Sequence, residues 1–402
     1  MCKILTEFAQ KEGNKILKRT NILVFIGHFI PAYKAGGPIQ SISNVVDRLG
    51  DKLKINILTS DRDIDDSAPF EGILLDRWNV VGKAFVLYLR ARDYTPLKIR
   101  SILTRLDYNM VYLNSFFSFR FSILPIILFQ LGLVRRTPLI IAPRGEFSPG
   151  ALGLKKQKKI IFILIARTLG LYHNVTWQAS SVHERGDIQR WFGEKTIIVI
   201  AKNMPPLINE NENSRLIRKK RKGYLKIIFL SRISPKKNLH QALKMLKGLD
   251  GNLEFNIFGP IEDASYWSKC QETISDLENN LVVRYRGILE HERVDSMMRG
   301  NDIFFLPTLG ENYGHVILEA LCAGCPVLIS DQTPWLELEK KGIGWDIPLQ
   351  NSKKYHEVLQ NCISMDNDEY SKWSEKAYRY GVKTATNNEV VQQHLKLFYR
   401  SN

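Results

Sequence analysis

At 402 residues, 44% hydrophobic and 24% charged, the chain is long enough for two domains with separate cores and has the composition of a soluble globular protein. Its 57 Lys and Arg against 41 Asp and Glu give a formal charge of +16. That excess favours an anionic partner, which could be nucleic acid, an acidic lipid surface or a phosphorylated substrate. The five cysteines (Cys2, Cys270, Cys322, Cys325, Cys362) exclude a disulfide framework.

Residues 1–19 read as an amphipathic or frayed extension. The first strand is Asn21 to Ile26, followed by the loop His28 to Pro38, HFIPAYKAGGP, and a helix from Ile39 to Leu49. Gly36-Gly37 in that loop serves either a flexible turn or close backbone approach to a ligand. Asp61-Arg62-Asp63, after the strand Lys54 to Leu58, reads as solvated loop. Strands are expected near Gly72 to Trp78, Ala84 to Arg90 and Met110 to Leu113, then helix Phe119 to Leu131 and strand Leu139 to Ala142. Helix Lys156 to Leu171, strand Val175 to Gln178, helix Val182 to Trp191 and strand Thr196 to Ile200 complete an alternation that predicts a doubly wound sheet.

Two prolines, a polar run and the basic cluster Arg215, Arg218, Lys219 to Lys222 mark an interdomain linker over 206–224. A second α/β series occupies 225–385, with strands at Lys226 to Leu230, Leu253 to Phe258, Leu281 to Tyr285, Asp302 to Leu306 and Val327 to Ile329. Residues 386–402 form a last helix that can cross back to the first domain, residues 1–205.

The stretch ENYGHVILEALCAGCPVLIS, 311–330, sits between the last two of these strands. Its loop lies beyond the carboxyl end of a parallel strand, where ligands bind in such sheets. N–H groups at the helix start can hold an anion, and Gly314 lets a phosphate approach. Glu311 and Glu319 fall along one side of that site. Arg232 and Lys237 flank a turn after the first strand of the same half, either as an exposed basic turn or as a grip on a diphosphate. Cys322-Ala-Gly-Cys325, with no second pair and no His cluster, reads as core packing and not as a zinc site.

Glu311 to Glu319, with Gly314 and His315 between, resembles the Glu-x7-Glu motif of retaining GT-B glycosyltransferases of the glycogen-synthase-like group, family GT4. The resemblance implies two Rossmann-like doubly wound domains facing each other across a cleft. It makes Arg232 and Lys237 the donor-diphosphate pair, with Glu311 on the donor sugar's hydroxyls and Glu319 on the ribose diol. Gly314, His315 and Val316 would stand at the phosphates, Gly259 and Gly287 at the nucleotide base, and Gly36 and Gly37 against the phosphates from the first domain. Ala142 to Leu152 is similar to the acceptor-side segment of polysaccharide-assembling members, which makes Arg144 and Glu146 candidate contacts; Arg144 reads equally as a structural ion-pair residue. Where many relatives carry a histidine after the fourth strand, this chain has Tyr112-Leu113-Asn114-Ser115, so Asn114 or Ser115 stands there and the general base is unassigned, with His28 or His315 as substitutes.

The implied activity is that of a hexosyltransferase moving sugar from a nucleotide-diphosphate donor, UDP-sugar before GDP-sugar, onto a glycan or lipid-linked oligosaccharide in exopolysaccharide or other polysaccharide biosynthesis. No metal or other cofactor is required by that chemistry, since no Asp-x-Asp motif lies at a donor-side loop. Leu152 to Arg167, LGLKKQKKIIFILIAR, reads as a peripheral membrane element on anionic lipid or as a core-facing helix with a solvated basic end. No nucleic-acid motif accompanies the charge. Residues 1–20 lack an apolar signal core and the longest apolar runs fall short of the ~20 residues a span needs, so a cytoplasmic location, possible at the inner membrane face, is expected. The alternatives are a GT-B-shaped nucleotide-sugar epimerase and a non-catalytic basic membrane or nucleic-acid scaffold.

Overall fold

Apolar side chains on both faces of the first strand require helices on both sides of the sheet. In the computed structural model, which describes residues 19–153, 156–208 and 219–399, Leu23 and Phe25 of β1 (Thr20–Phe25) enter one core while Ile22 and Val24 enter another. The sheet continues with β2 (Leu53–Ser60), β3 (Trp78–Val81), β4 (Ala84–Leu89), β5 (Met110–Asn114), β6 (Leu139–Ala142), β7 (Val175–Ala179) and β8 (Ile198–Ile200). Its order is β3-β4-β2-β1-β5-β6-β7-β8, with β3 antiparallel to β4 and the other pairs parallel. The helices of this half are α1 (Gly37–Leu49), α2 (Pro96–Arg105), α3 (Leu124–Gln130), α4 (Pro149–Gly153), α5 (Lys156–Thr168) and α6 (Val182–Phe192).

The second half is a parallel sheet of β9 (Tyr224–Leu230), β10 (Asn252–Phe258), β11 (Leu281–Tyr285), β12 (Ile303–Leu306), β13 (Val327–Ser330) and β14 (Gly344–Ile347), ordered β11-β10-β9-β12-β13-β14. Its helices are α7 (Leu239–Met245), α8 (Ala264–Ser275), α9 (Val294–Arg299), α10 (His315–Cys322) and α11 (Leu338–Lys341), followed by α12 (Ser352–Ser364), α13 (Asn367–Ala385) and α14 (Asn388–Tyr399). The strand order reverses between β1 and β5 in the first sheet and between β9 and β12 in the second. The loops after these strands splay apart and leave a crevice at each switch point.

The chain's last two helices, α13 packed on the second half and α14 on the first, tie the halves together. Gly381 of α13 lies so close to α10 that a Cβ would come within 2.5 Å of the Cys322 nitrogen. The chain then returns, and α14 buries Val390, Val391, Leu395, Leu397 and Phe398 in the first domain's core. Phe398 meets Tyr112 edge-on at 5.4 Å. At the crossing point Arg48 donates to the carbonyls of Pro206 and Ala385.

Two expectations are corrected. The strand near Gly72 to Trp78 does not form: Asn79 bonds both the N–H and C=O of Leu74, fixing a turn, and strand pairing starts at Trp78. Phe119 to Leu131 is not one α-helix, since Phe119–Ile123 form a π-type turn before α3, which begins next to Pro125. Part of the basic linker is tied down. Lys220 is 5% exposed and its backbone N–H is bonded to Asn367, while Arg215 and Arg218 lie outside the described residues.

Candidate functional site

The loops at the second switch point are stitched to each other. Asn238, at φ 60°, donates its side-chain amide to the Pro307 carbonyl, and the Leu309 N–H bonds the Lys236 carbonyl. The Glu311 N–H is held by the Gln332 carbonyl. These bonds bring Lys237 and Glu311 into direct contact, ammonium to carboxylate, with each side chain only 12% exposed. Arg232 shares the Lys237 loop but pairs with Glu262 at 2.7 Å.

Gly314 caps α10 at φ 76°, a conformation in which a Cβ would lie 2.7 Å from Ile317. His315 follows it and is buried. Its Nε2 is 2.9 Å from the Ser41 hydroxyl of α1, which joins the two domains, while its Nδ1 has no partner among the described residues. Burial, reinforced by the charges of Arg144 and His291, pulls its pKa down to about 3, so the ring is neutral. Val316 is half-buried beside it. Burial raises the carboxyl of Glu319, opposed by His291, whose ring also lies 3.4 Å from Gln40 of α1.

Across the cleft, Arg144 stands at φ 56° at the end of β6. Its guanidinium donates to Asn114 (2.9 Å), to the Tyr112 hydroxyl (2.7 Å) and to Asn203. All are neutral, and among the described residues it has no carboxylate partner. Among the described residues neutral groups, and not the structural ion pair considered for Arg144, hold its guanidinium near His315. Glu146 is enclosed: its oxygens accept from the Ser115 hydroxyl (2.7 Å) and the N–H groups of Phe116 and Phe117. Burial raises its pKa against these donors. It orients Ser115, itself at φ 106°.

Gly36 (φ 64°) and Gly37 start α1, and added Cβ atoms there would meet nothing within 4 Å. Gly287 is equally open. At Gly259 a Cβ would lie 2.0 Å from the Ser231 carbonyl, so the strand ends themselves require this glycine. His28 bonds the Arg62 carbonyl through Nδ1 at 3.1 Å.

The Asp61-Arg62-Asp63 segment is not solvated. Asp61 and Asp63 are 0% and 2% exposed. Asp63 accepts the N–H groups of Tyr33 (2.7 Å), Lys34 (3.0 Å) and Ile64 (2.8 Å), and so braces the loop that carries Gly36 and Gly37. Asp61 pairs with Arg62 at 2.9 Å. Sequence reading also missed Asn312, which accepts from Ser180 at 3.1 Å and packs 3.1 Å from where a Cβ on Gly145 would be. No signal in the sequence links these positions.

On α5 only Ile163 and Ala166 are buried, whereas Ile161, Leu164 and Ile165 are at least half exposed, with Lys156 and Lys158 exposed at its start. The core-facing reading of this helix thus holds for one narrow stripe. No helix among the described residues is long and apolar enough to cross a membrane. Cys270, Cys322, Cys325 and Cys362 are free thiols, and among the described residues no three His, Cys, Asp or Glu side chains group to hold a metal ion.

Residues 210–380 match the family "Glycosyl transferases group 1". An uncharacterized 41.2 kDa protein in the cps region of Klebsiella pneumoniae is 23% identical over 284 residues, covering 68% of this chain and 74% of that one. The fold is similar to HepE of Anabaena in complex with UDP and glucose (TM-score 0.68, 15% identity, 94% of this chain and 98% of that one). It is also similar to sucrose-phosphate synthase of Thermosynechococcus elongatus (TM-score 0.68, 14% identity, 95% and 98%).

Proposed function

We propose that the chain, which has the fold of GT-B glycosyltransferases, transfers a sugar from a UDP-sugar, with retention of configuration, onto a growing glycan or lipid-linked oligosaccharide in polysaccharide biosynthesis. The observation that carries this reading is the enclosed Lys237–Glu311 pair at the switch point. An ammonium has three N–H donors, so Lys237 can keep Glu311 and still donate to a diphosphate. Arg232, on the same loop, adds a second cation, and the N–H groups following Gly314 point along the axis of α10. Glu311 is then placed between the phosphates and the sugar hydroxyls. Glu319, its carboxyl raised by burial, takes the ribose diol. Arg144 brings positive charge to the acceptor side, and the His315 Nδ1, without a partner among the described residues, can bond the donor.

In this reading the bond from the anomeric carbon to the diphosphate oxygen breaks as the acceptor hydroxyl oxygen bonds that carbon from the same face. The acceptor's proton leaves with the diphosphate. The residues act by positioning and by stabilising departing charge, which is worth most in an enclosed site. The relative from a cps region and the HepE complex with UDP support the pathway and the donor class; a GDP-sugar is the second donor class. The exposed apolar face of α5 and its lysines would rest on an anionic membrane surface, near a lipid-linked acceptor.

The test is transfer from α-linked UDP-sugars to a lipid-linked acceptor extract, with the new linkage read by proton NMR. An α-linkage is expected. A β-linkage would overturn retention, and transfer from GDP-sugars alone would overturn the donor class.

A further inference from the structure

The second domain has a cavity of about 650 Å³ that the donor site does not use. It lies at the opposite end of the sheet: Lys222 precedes β9 and Gly342 precedes β14, whereas Lys237 and Glu311 follow the carboxyl ends of β9 and β12. Four lysines line it: Lys340 pairs with Glu337 at 2.9 Å, whereas Lys222, Lys372 and Lys376 have no carboxylate partner among the described residues. The two lining carboxylates are engaged elsewhere. Glu339 holds Lys354 at 3.5 Å, and Glu369 accepts the Asp366 N–H at 3.3 Å to close the α13 capping box. The net charge offered to a ligand is therefore positive.

The wall is also aromatic. Trp373 stacks on Trp345 with ring centroids 4.3 Å apart, so its plane is fixed, and its indole N–H has no protein partner among the described residues. Asn361 and Ser364, exposed on the last turn of α12, add short polar groups. A rigid indole beside amide and hydroxyl groups suits a sugar ring, since its apolar face and its hydroxyls are both met. The ammonium groups suit a phosphate or carboxylate on that sugar.

We infer that this cavity binds a saccharide bearing an anionic group, at a site separate from the donor cleft. The anion belongs either to an acidic residue of a glycan chain or to a single sugar phosphate. Two surface lysines placed on consecutive turns of α13, Lys372 and Lys376, carry most of the recognition.

Calorimetric titration of the full chain with tetragalacturonate, glucose 6-phosphate and neutral maltotetraose tests this. Saturable binding of an acidic probe, with maltotetraose at least roughly tenfold weaker, is expected. Preference for tetragalacturonate identifies an acidic glycan as the source, and preference for glucose 6-phosphate identifies a sugar phosphate. The double variant Lys372→Gln with Lys376→Gln should weaken the acidic probe roughly tenfold or more, and Trp373→Phe should weaken it while preserving the stack on Trp345. UDP binding should be unchanged in both variants, which separates this site from the donor reading. No saturable binding of either acidic probe would overturn the inference. So would binding that the lysine double variant leaves intact, or that Trp373→Phe leaves intact, since the latter describes a merely charged surface.

Discussion

Replacing Asp63 by Ala should loosen the Gly36-Gly37 loop without unfolding the domain. The Asp63 Oδ2 accepts from Tyr33 and Lys34, and its Oδ1 from Ile64. Ala removes both oxygens, so the N–H groups of Tyr33, Lys34 and Ile64 all lose their acceptor. The two bonds from the glycine loop, Tyr33 and Lys34, are charge-assisted and are lost at ~1.5 kcal/mol each, ~3 kcal/mol in all. That is roughly a 100-fold gain in local opening. The remaining ties on this loop, Lys34 to Asp66 and Tyr88 to the Ile30 carbonyl, stay in place. Hydrogen exchange read by NMR should show the Tyr33 and Lys34 amides exchanging about two orders of magnitude faster, with β1 amides unchanged. Sugar transfer should fall with it, since a loosened glycine loop no longer presents its backbone in one geometry. Unaltered exchange at Tyr33 and Lys34 would refute the bracing role.

Lys237→Ala leaves the enclosed Glu311 carboxylate unpaired and should destabilise the protein by ~3 kcal/mol, about 6–12 °C in Tm, with much of the loss recovered on adding Glu311→Gln. Calorimetry of the single and double variants checks this. Burial holds His394 neutral down to about pH 4, whereas an unfolded His binds a proton near its ordinary value of 6.5. The unfolded state then binds more protons, so stability falls as pH drops from about 6.5 towards 4. His394→Gln should flatten that limb by roughly 3 kcal/mol at the acid end, read by urea unfolding across pH. Phe398→Ala should cost ~3–5 kcal/mol by opening a cavity against Tyr112, with hydrogen exchange quickening in the first domain more than in the second. Leu164→Glu with Ile165→Glu should abolish co-sedimentation with anionic vesicles and spare Tm; retained sedimentation would remove α5 from the membrane proposal.

The strand-and-helix alternation was legible because both sheets are buried on two faces, so runs such as LKIIFL stand out as continuous apolar strands. The short edge strand β14 was not, because it holds four residues, one of them Gly344, which fits only since a Cβ would lie 2.2 Å from the Val327 carbonyl. Lys237 and Glu311 could be picked out from their places after two strands, and the fold sets them in contact. Asp63 could not. A carboxylate in a D-R-D loop has the same local sequence whether it faces water or the backbone N–H groups of Tyr33 and Lys34, far back in the chain. Arg144 was ambiguous for a related reason, because only the tertiary structure shows that its partners Asn114, Tyr112 and Asn203 are all neutral.

The account stands on a nucleoside-diphosphate site built around Lys237. Its most direct test is a thermal-shift series with UDP, GDP, ADP and TDP on the wild-type protein and on Lys237→Ala, each measured against its own ligand-free Tm. A selective rise with UDP that disappears in the variant is the predicted result. A chain that no nucleotide stabilises, or one that UDP stabilises equally with and without Lys237, would contradict it.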